Sequence, residues 1–328
     1  MKDVPEEVVL LVGNLALLAV ATCVGMIAAI VGRRRRGLPI LPFEPRRPVP
    51  WRWYDVLLIV AISQASVLLV ESFLSRPPST AEPPEAVAVE QTPVEPADEP
   101  ASSEEVGNHA RKAGPHPLVV LIHKEPGSQT VLLAFLAAVV IAPLVEEFLF
   151  RLVLQGWLER VEMRLPGPLA IRRWARGALP ILISAALFAS MHYRPAVEGG
   201  GAGDVRAIHH TVLRTVLASL ITLAASLGIL WIGPRARLVD LGIRRDRLWA
   251  DIRLGLLAFA TLAAPIYTLQ ALFTWLLPES IVADPFTMVF FATALGLLYF
   301  RTHRIVPSIT LHTALNATSL ALALLLKG

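Results

Sequence analysis

Eight apolar runs divide this chain, and every odd-numbered one ends at a cluster of arginines. They cover roughly residues 8–32, 54–74, 130–157, 178–193, 211–233, 248–277, 286–300 and 305–326. About 20 apolar residues suffice to cross the hydrocarbon of a bilayer as a helix. Each even-numbered run ends at a loop poor in Lys and Arg, or at a long acidic segment. The positive-inside rule then puts the arginine clusters in the cytoplasm. The N-terminus and the 77–130 loop are expected on the other side. Open sheet edges are excluded from hydrocarbon, and the runs are continuous rather than alternating as in a barrel. The chain reads as all-α: a polytopic membrane helix bundle of about eight transmembrane helices, multi-pass in a plasma or inner membrane.

Composition agrees. Apolar residues make up 55% and charged residues 17%, against about 45–50% and 25% in soluble domains. The single cysteine, Cys23, allows no intrachain disulfide. The net charge of +4 is concentrated in the loops. That pattern reports membrane orientation and contact with lipid, not nucleic acid. The first run is too long for a signal-peptide core, and its basic cluster follows it instead of preceding it. Three units emerge: two N-terminal membrane helices in 1–76, a linker in 77–114, and a membrane domain in 115–328. The linker is rich in Pro and Glu, and its 77–106 stretch has no Lys, Arg or aromatic residue. It cannot bury enough apolar area to offset ordering entropy and is expected to be disordered, a spacer with a partner site as the alternative.

Within the third run, "PLVEEFLFRLVLQGW" (143–157) places Glu146, Glu147 and Arg151 among Val, Leu and Phe. Each such group costs roughly 2.5–3.5 kcal/mol at mid-membrane and normally faces a bundle interior. Glu147 and Arg151 are four apart with Glu on the N-terminal side, the favourable order for an ion pair. Glu146 sits about 100° away around the helix. One carboxylate is thus neutralised and structural, while the other remains free. Pro143 removes a backbone hydrogen bond just upstream and is expected to kink or loosen the helix. Pro265 is expected to kink the sixth run.

Two later runs carry matching polar groups. "LFASMH" holds Phe188 and His192 one turn apart, and "LHTALNATS" holds His312 and Asn316 on one face. Converged on a cavity, these residues would supply the parts for attack on an amide by water. Glu146, assisted by His192, would take the proton. His312 and Asn316 would donate to the developing oxyanion. A metal reading uses the same side chains, with Glu146, His192 and His312 as three zinc ligands. No H-E-x-x-H motif accompanies them, and no metal is taken as obligatory.

In this order on membrane helices, E-E-x-x-x-R (Glu146, Glu147, Arg151), F-x-x-x-H (Phe188, His192) and H-x-x-x-N (His312, Asn316) resemble the CPBP family. These are the CAAX prenyl protease and bacteriocin-processing intramembrane endopeptidases, also called Abi. The resemblance implies a helical fold with an intramembrane cavity. It also implies hydrolysis of a peptide bond in a membrane-associated or prenylated protein or peptide. Glu146 and His192 would activate water, His312 and Asn316 would form the oxyanion hole, and Glu147, Arg151 and Phe188 would support them. The chain departs from the family in the segment 206–284, which separates His192 from His312. Residues 238–259 in it resemble a stretch that members carry ahead of the Glu-Glu helix. Two extra crossings return the chain to the same side, so this pair of helices is expected to dock together at the bundle edge.

Two other classes compete with a peptidase: an inactive membrane scaffold or immunity protein of the same family, and a proton-coupled carrier using Glu146. Inverted repeats would favour the carrier. One concern is depth. His192 is expected near the outer end of its helix, and His312 about 10 Å in from the opposite side. Among weaker features, His209 and His210 read as a solvated loop end with a metal pair as the alternative. His303 is expected to face headgroups, and Gln64 and Glu71 to make inter-helix or interfacial contacts.

Overall fold

A computed structural model describes residues 6–45, 47–74, 117–125, 127–164, 176–193, 205–277 and 284–325. These form nine helices, one 3₁₀ turn (Arg245–Arg247) and no strand. In chain order they are α1 (Glu6–Arg35), α2 (Trp53–Leu74), α3 (Pro117–Lys124), α4 (Ser128–Arg164) and α5 (Ala178–Met191). α6 (Val205–Ile232), α7 (Leu248–Leu276), α8 (Asp284–Thr302) and α9 (Ile305–Leu325) follow. Seven are long and apolar enough to cross a membrane. The expected fourth span is present as α5 but has only 14 residues, about 21 Å of rise. The short α3 was not anticipated. The linker 77–114 lies outside the described residues.

The outward faces are apolar. Leu17, Leu68, Trp231 and Trp275 are exposed, which suits a lipid surround and would be a liability in water. Inside, two clusters pack against α4. Phe148, Leu152 and Val153 pack with Trp51, Ile59, Leu230 and Tyr299. Phe150 packs with Phe188, Ile266, Phe291 and Leu311. The two N-terminal helices are integrated into this bundle: α2 lies along α6, and α1 lies along α7.

The helices of the 206–284 segment do not dock as a pair. α6 lies against α2 and α4, while α7 lies against α1, α8 and α9. They flank the motif helices on separate sides, and α4 keeps its contacts with both α5 and α9.

α7 runs unbroken through Pro265. Its approach to α9 depends on Gly255. A Cβ there would lie 2.5 Å from Thr310 Cβ and 2.6 Å from the Pro307 carbonyl oxygen. Small residues let membrane helices approach this closely. Gly25 on α1, by contrast, has nothing within 4 Å of the same position. Gly255→Leu is expected to cost about 1–3 kcal/mol by overpacking and to lower the melting temperature in detergent. Gly25→Leu should stay within about 0.5 kcal/mol of the parent.

Candidate active site

α5 and α9 both run antiparallel to α4, and this register assembles the site. Along α5, Gly177 N–H donates to Glu162 Oε1 at 2.9 Å and Ser184 Oγ to Phe150 O at 2.8 Å. His192 Nε2 then lies 3.9 Å from Glu146 Oε2. Along α9, His303 Nδ1 faces Glu159 Oε2 at 3.7 Å and His312 Nδ1 faces Glu147 Oε1 at 3.1 Å. Asn316 Nδ2 reaches Ala138 O at 2.8 Å. The depth concern resolves in the length of α5. It starts at Gly177, whose left-handed φ of 80° and contact with Phe300 tolerate no side chain, and it ends 14 residues later at the depth of Glu146.

α4 widens on both sides of Pro143. Leu136–Ile141 and Glu147–Gln155 take π-helical turns, in which an N–H bonds the carbonyl five residues back. Ala142 N–H accordingly donates to Ala137 O. The next donor in that register would be the nitrogen of Pro143, which has no hydrogen. The Ala138 carbonyl it would have bonded accepts from Asn316 instead. One of the two amide hydrogens of Asn316 is therefore committed to backbone.

The centre of the site is a buried chain of charges. Glu147 and Arg151 are fully buried, with Arg151 Nε 3.5 Å from Glu147 Oε2. Arg151 Nη1 donates to Ser184 Oγ at 3.0 Å, and the guanidinium lies over the Phe188 ring, 5.4 Å from its centroid. The other oxygen of Glu147 holds His312, itself only 3% exposed. The expected pair Glu147–Arg151 thus exists and carries a further load: it fixes an imidazole on another helix.

Glu146 is different. Its side chain retains 26% exposure, and its Oε2 faces two imidazoles, His312 Nε2 at 3.6 Å and His192 Nε2 at 3.9 Å. His192 Nδ1 lies 2.8 Å from Phe188 O. A carbonyl only accepts, so Nδ1 donates and the neutral ring presents its Nε2 lone pair toward Glu146. Phe188 stacks on His192 with centroids 4.5 Å apart and meets His312 edge-on at 5.9 Å. Phe291 closes the other side of His312 at 5.0 Å.

Glu146, His192 and His312 have the donor atoms of a zinc site. Among the described residues, however, no group of three His, Cys, Asp or Glu side chains is arranged to hold a metal ion.

Residues 128–318 match the family described as type II CAAX prenyl endopeptidase Rce1-like. The chain belongs to that family. No curated protein matches the chain, and no solved structure does. Membership makes this a CAAX-type endopeptidase at the level of the family, with a membrane protein or peptide as its class of substrate. The Rce1-like segment holds every residue of the site and also α6 and α7. α1, α2 and the chain between them lie outside it.

Some participants escaped the sequence reading. Ser184 and Phe291 belong to no motif, although Ser184 stands one turn before Phe188 on the face that carries His192. Gln155 and Glu159 continue the buried face of Glu147 and Arg151 at four-residue steps. Gln155 Nε2 donates to Glu159 Oε1 at 3.0 Å. His303 does not face headgroups: it is 13% exposed and turned onto Glu159, because α9 begins just beyond it. His209 and His210 lie within α6, which begins at Val205, with ring centroids 6.5 Å apart. Gln64 and Glu71 are exposed on α2.

Arg151→Met leaves the buried Glu147 charge without its cation and should destabilise the protein by about 3–5 kcal/mol. The double variant Glu147→Gln, Arg151→Met should recover much of that loss. Thermal denaturation of the single and double variants in detergent reads the difference.

Proposed function

We propose that the chain hydrolyses a peptide bond of a membrane-associated or prenylated CAAX-type protein or peptide, using water activated by Glu146. The observation that carries this reading is the placement of one carboxylate oxygen within 4 Å of two imidazole nitrogens, 3.6 Å from His312 and 3.9 Å from His192. Contacts of that length suit a bridging water or substrate atom better than a direct hydrogen bond.

In the proposed mechanism, water donates one hydrogen to Glu146 and the other to the His192 Nε2 lone pair. That leaves an oxygen lone pair aimed at the scissile carbonyl. As the C–O bond forms, Glu146 takes the first proton and the carbonyl π pair moves onto its oxygen. His312 carries a proton on both nitrogens, Nδ1–H on Glu147 and Nε2–H on the oxyanion. With Glu146 protonated, Glu147 and the oxyanion balance the guanidinium and the imidazolium, which suits a low-dielectric site. Collapse of the intermediate re-forms the carbonyl and breaks the C–N bond. Glu146 delivers its proton to the leaving amine. The products are a carboxylic acid and an amine.

Asn316 contributes by holding the Ala138 carbonyl and with it the widened turn before Pro143. Its second amide hydrogen remains a donor for the oxyanion. The arginine-rich ends of α1, α4, α6 and α8 are assigned to the cytoplasm by the positive-inside rule, and the reading requires no metal.

The test is cleavage of a peptide bearing a farnesylated cysteine three residues before its C-terminus, followed by mass spectrometry. Glu146→Gln should lower kcat by about 10²–10⁴-fold while keeping the parent's melting temperature. A folded Glu146→Gln protein with parental turnover overturns the proposal. Phenanthroline or EDTA should leave the parent's rate unchanged; loss on chelation with recovery on zinc would replace the metal-free step.

A further inference from the structure

Residues 36–45 and 47–52, described between α1 and α2, lie outside the segment that defines the family. They are nevertheless built against the catalytic helix. Trp51 is fully buried, and its indole Nε1–H donates to Val153 O at 3.1 Å. Arg160 of α4 holds the strap in return, with Nη1 2.9, 2.9 and 2.6 Å from the carbonyl oxygens of Val49, Pro50 and Trp51. At the other end of the strap, Glu44 N–H donates to Arg301 O at 3.0 Å and its carboxylate lies 3.5 Å from Arg304 Nε.

The crossing point is Gly156. A Cβ there would sit 3.0 Å from Val49 Cγ1 and 3.5 Å from the Trp51 ring. Gly156 is also where α4 changes register: its N–H reaches both Arg151 O and Val153 O. The turn before it is π-helical, and Gly156–Arg164 after it is ordinary α-helix. The Trp51 donor therefore lands on one of the two carbonyls at the junction. If the wide turn tightened by one residue, everything N-terminal to it would rotate by about 100°. That rotation would carry Glu147 away from His312 and Arg151 away from Ser184.

We propose that the strap belongs to the catalytic apparatus, with Trp51 as a positioning residue that holds the wide register of α4 and, through it, the contact between Glu147 and His312. The kinetic part of this inference rests on the proposed peptidase activity; the register part does not.

The experiment uses the full chain in detergent and compares the parent, Glu146→Gln, Trp51→Phe and the exposed control Trp53→Phe. One readout is amide exchange of 147–155, and the other is kcat and KM on the farnesylated peptide. Trp51→Phe should melt cooperatively and exchange faster by about 10-fold in 147–155, with 205–232 unchanged. Its kcat should fall about 10-fold with KM within about twofold. Trp53→Phe should change neither quantity. Unchanged exchange in 147–155 overturns the proposal, and so does faster exchange with parental kcat. If Trp51→Phe does not fold, Arg160→Met loosens the strap without touching the indole and must give the same pair of changes. If the parent and Glu146→Gln both fail to cleave the peptide, the activity reading fails and exchange alone decides the strap.

Discussion

The ion pair between Glu147 and Arg151, buried without residual exposure, is the interaction on which the rest of the site depends. Either charge left alone at that depth would carry a desolvation cost with nothing to offset it. Together they neutralise each other, and each also reaches a different helix. Arg151 is anchored through Ser184 to α5, and Glu147 is joined to His312 of α9. A pair whose local spacing on one helix already suits an ion pair thus becomes the tie between three helices. The groups left over, Glu146 and the outward nitrogens of His192 and His312, then face one another with nothing but reach to separate them.

The helix that carries the pair is not a regular α-helix, and the irregularity has a cause. Pro143 lacks the hydrogen that either helical register would require of it, and wide turns flank it. Carbonyls of the widened helix attract donors from elsewhere: Asn316 on Ala138, Ser184 on Phe150 and Trp51 on Val153. Each of these residues is polar or amphipathic within an apolar setting, and each is explained by a backbone group that needs a partner. The geometry of the candidate site and the satisfaction of the backbone are the same structural problem in this protein.

Much of this was legible in the residues. Continuous apolar runs and alternating arginine clusters gave the helix bundle, because hydrocarbon leaves a chain so few alternatives. The four-residue spacings Glu147–Arg151, Phe188–His192 and His312–Asn316 gave the faces that meet. What was not legible depends on distances between helices. The run of α5 is visibly short, but the level at which it starts is set by Gly177 packing on Phe300 of another helix, which no run length shows. That Asn316 also holds the Ala138 carbonyl is not legible, because the two lie on different helices. The separate docking of α6 and α7 follows from side-chain fit, as at Gly255 against Thr310, which no periodicity encodes. His303 looks like a surface residue because its partner, Glu159, lies on a different helix.

The claim at the centre of this account is that a buried carboxylate fixes the His312 ring by accepting from Nδ1. Nitrogen chemical shifts of a ¹⁵N-histidine-labelled sample, with His312→Gln used to assign the signal, test it most directly. The account predicts a protonated Nδ1 on His312 in the resting protein, with a downfield Nδ1–H that disappears in Glu147→Gln. A bare Nδ1 with the proton on Nε2 alone, or a signal indifferent to the loss of Glu147, would contradict it.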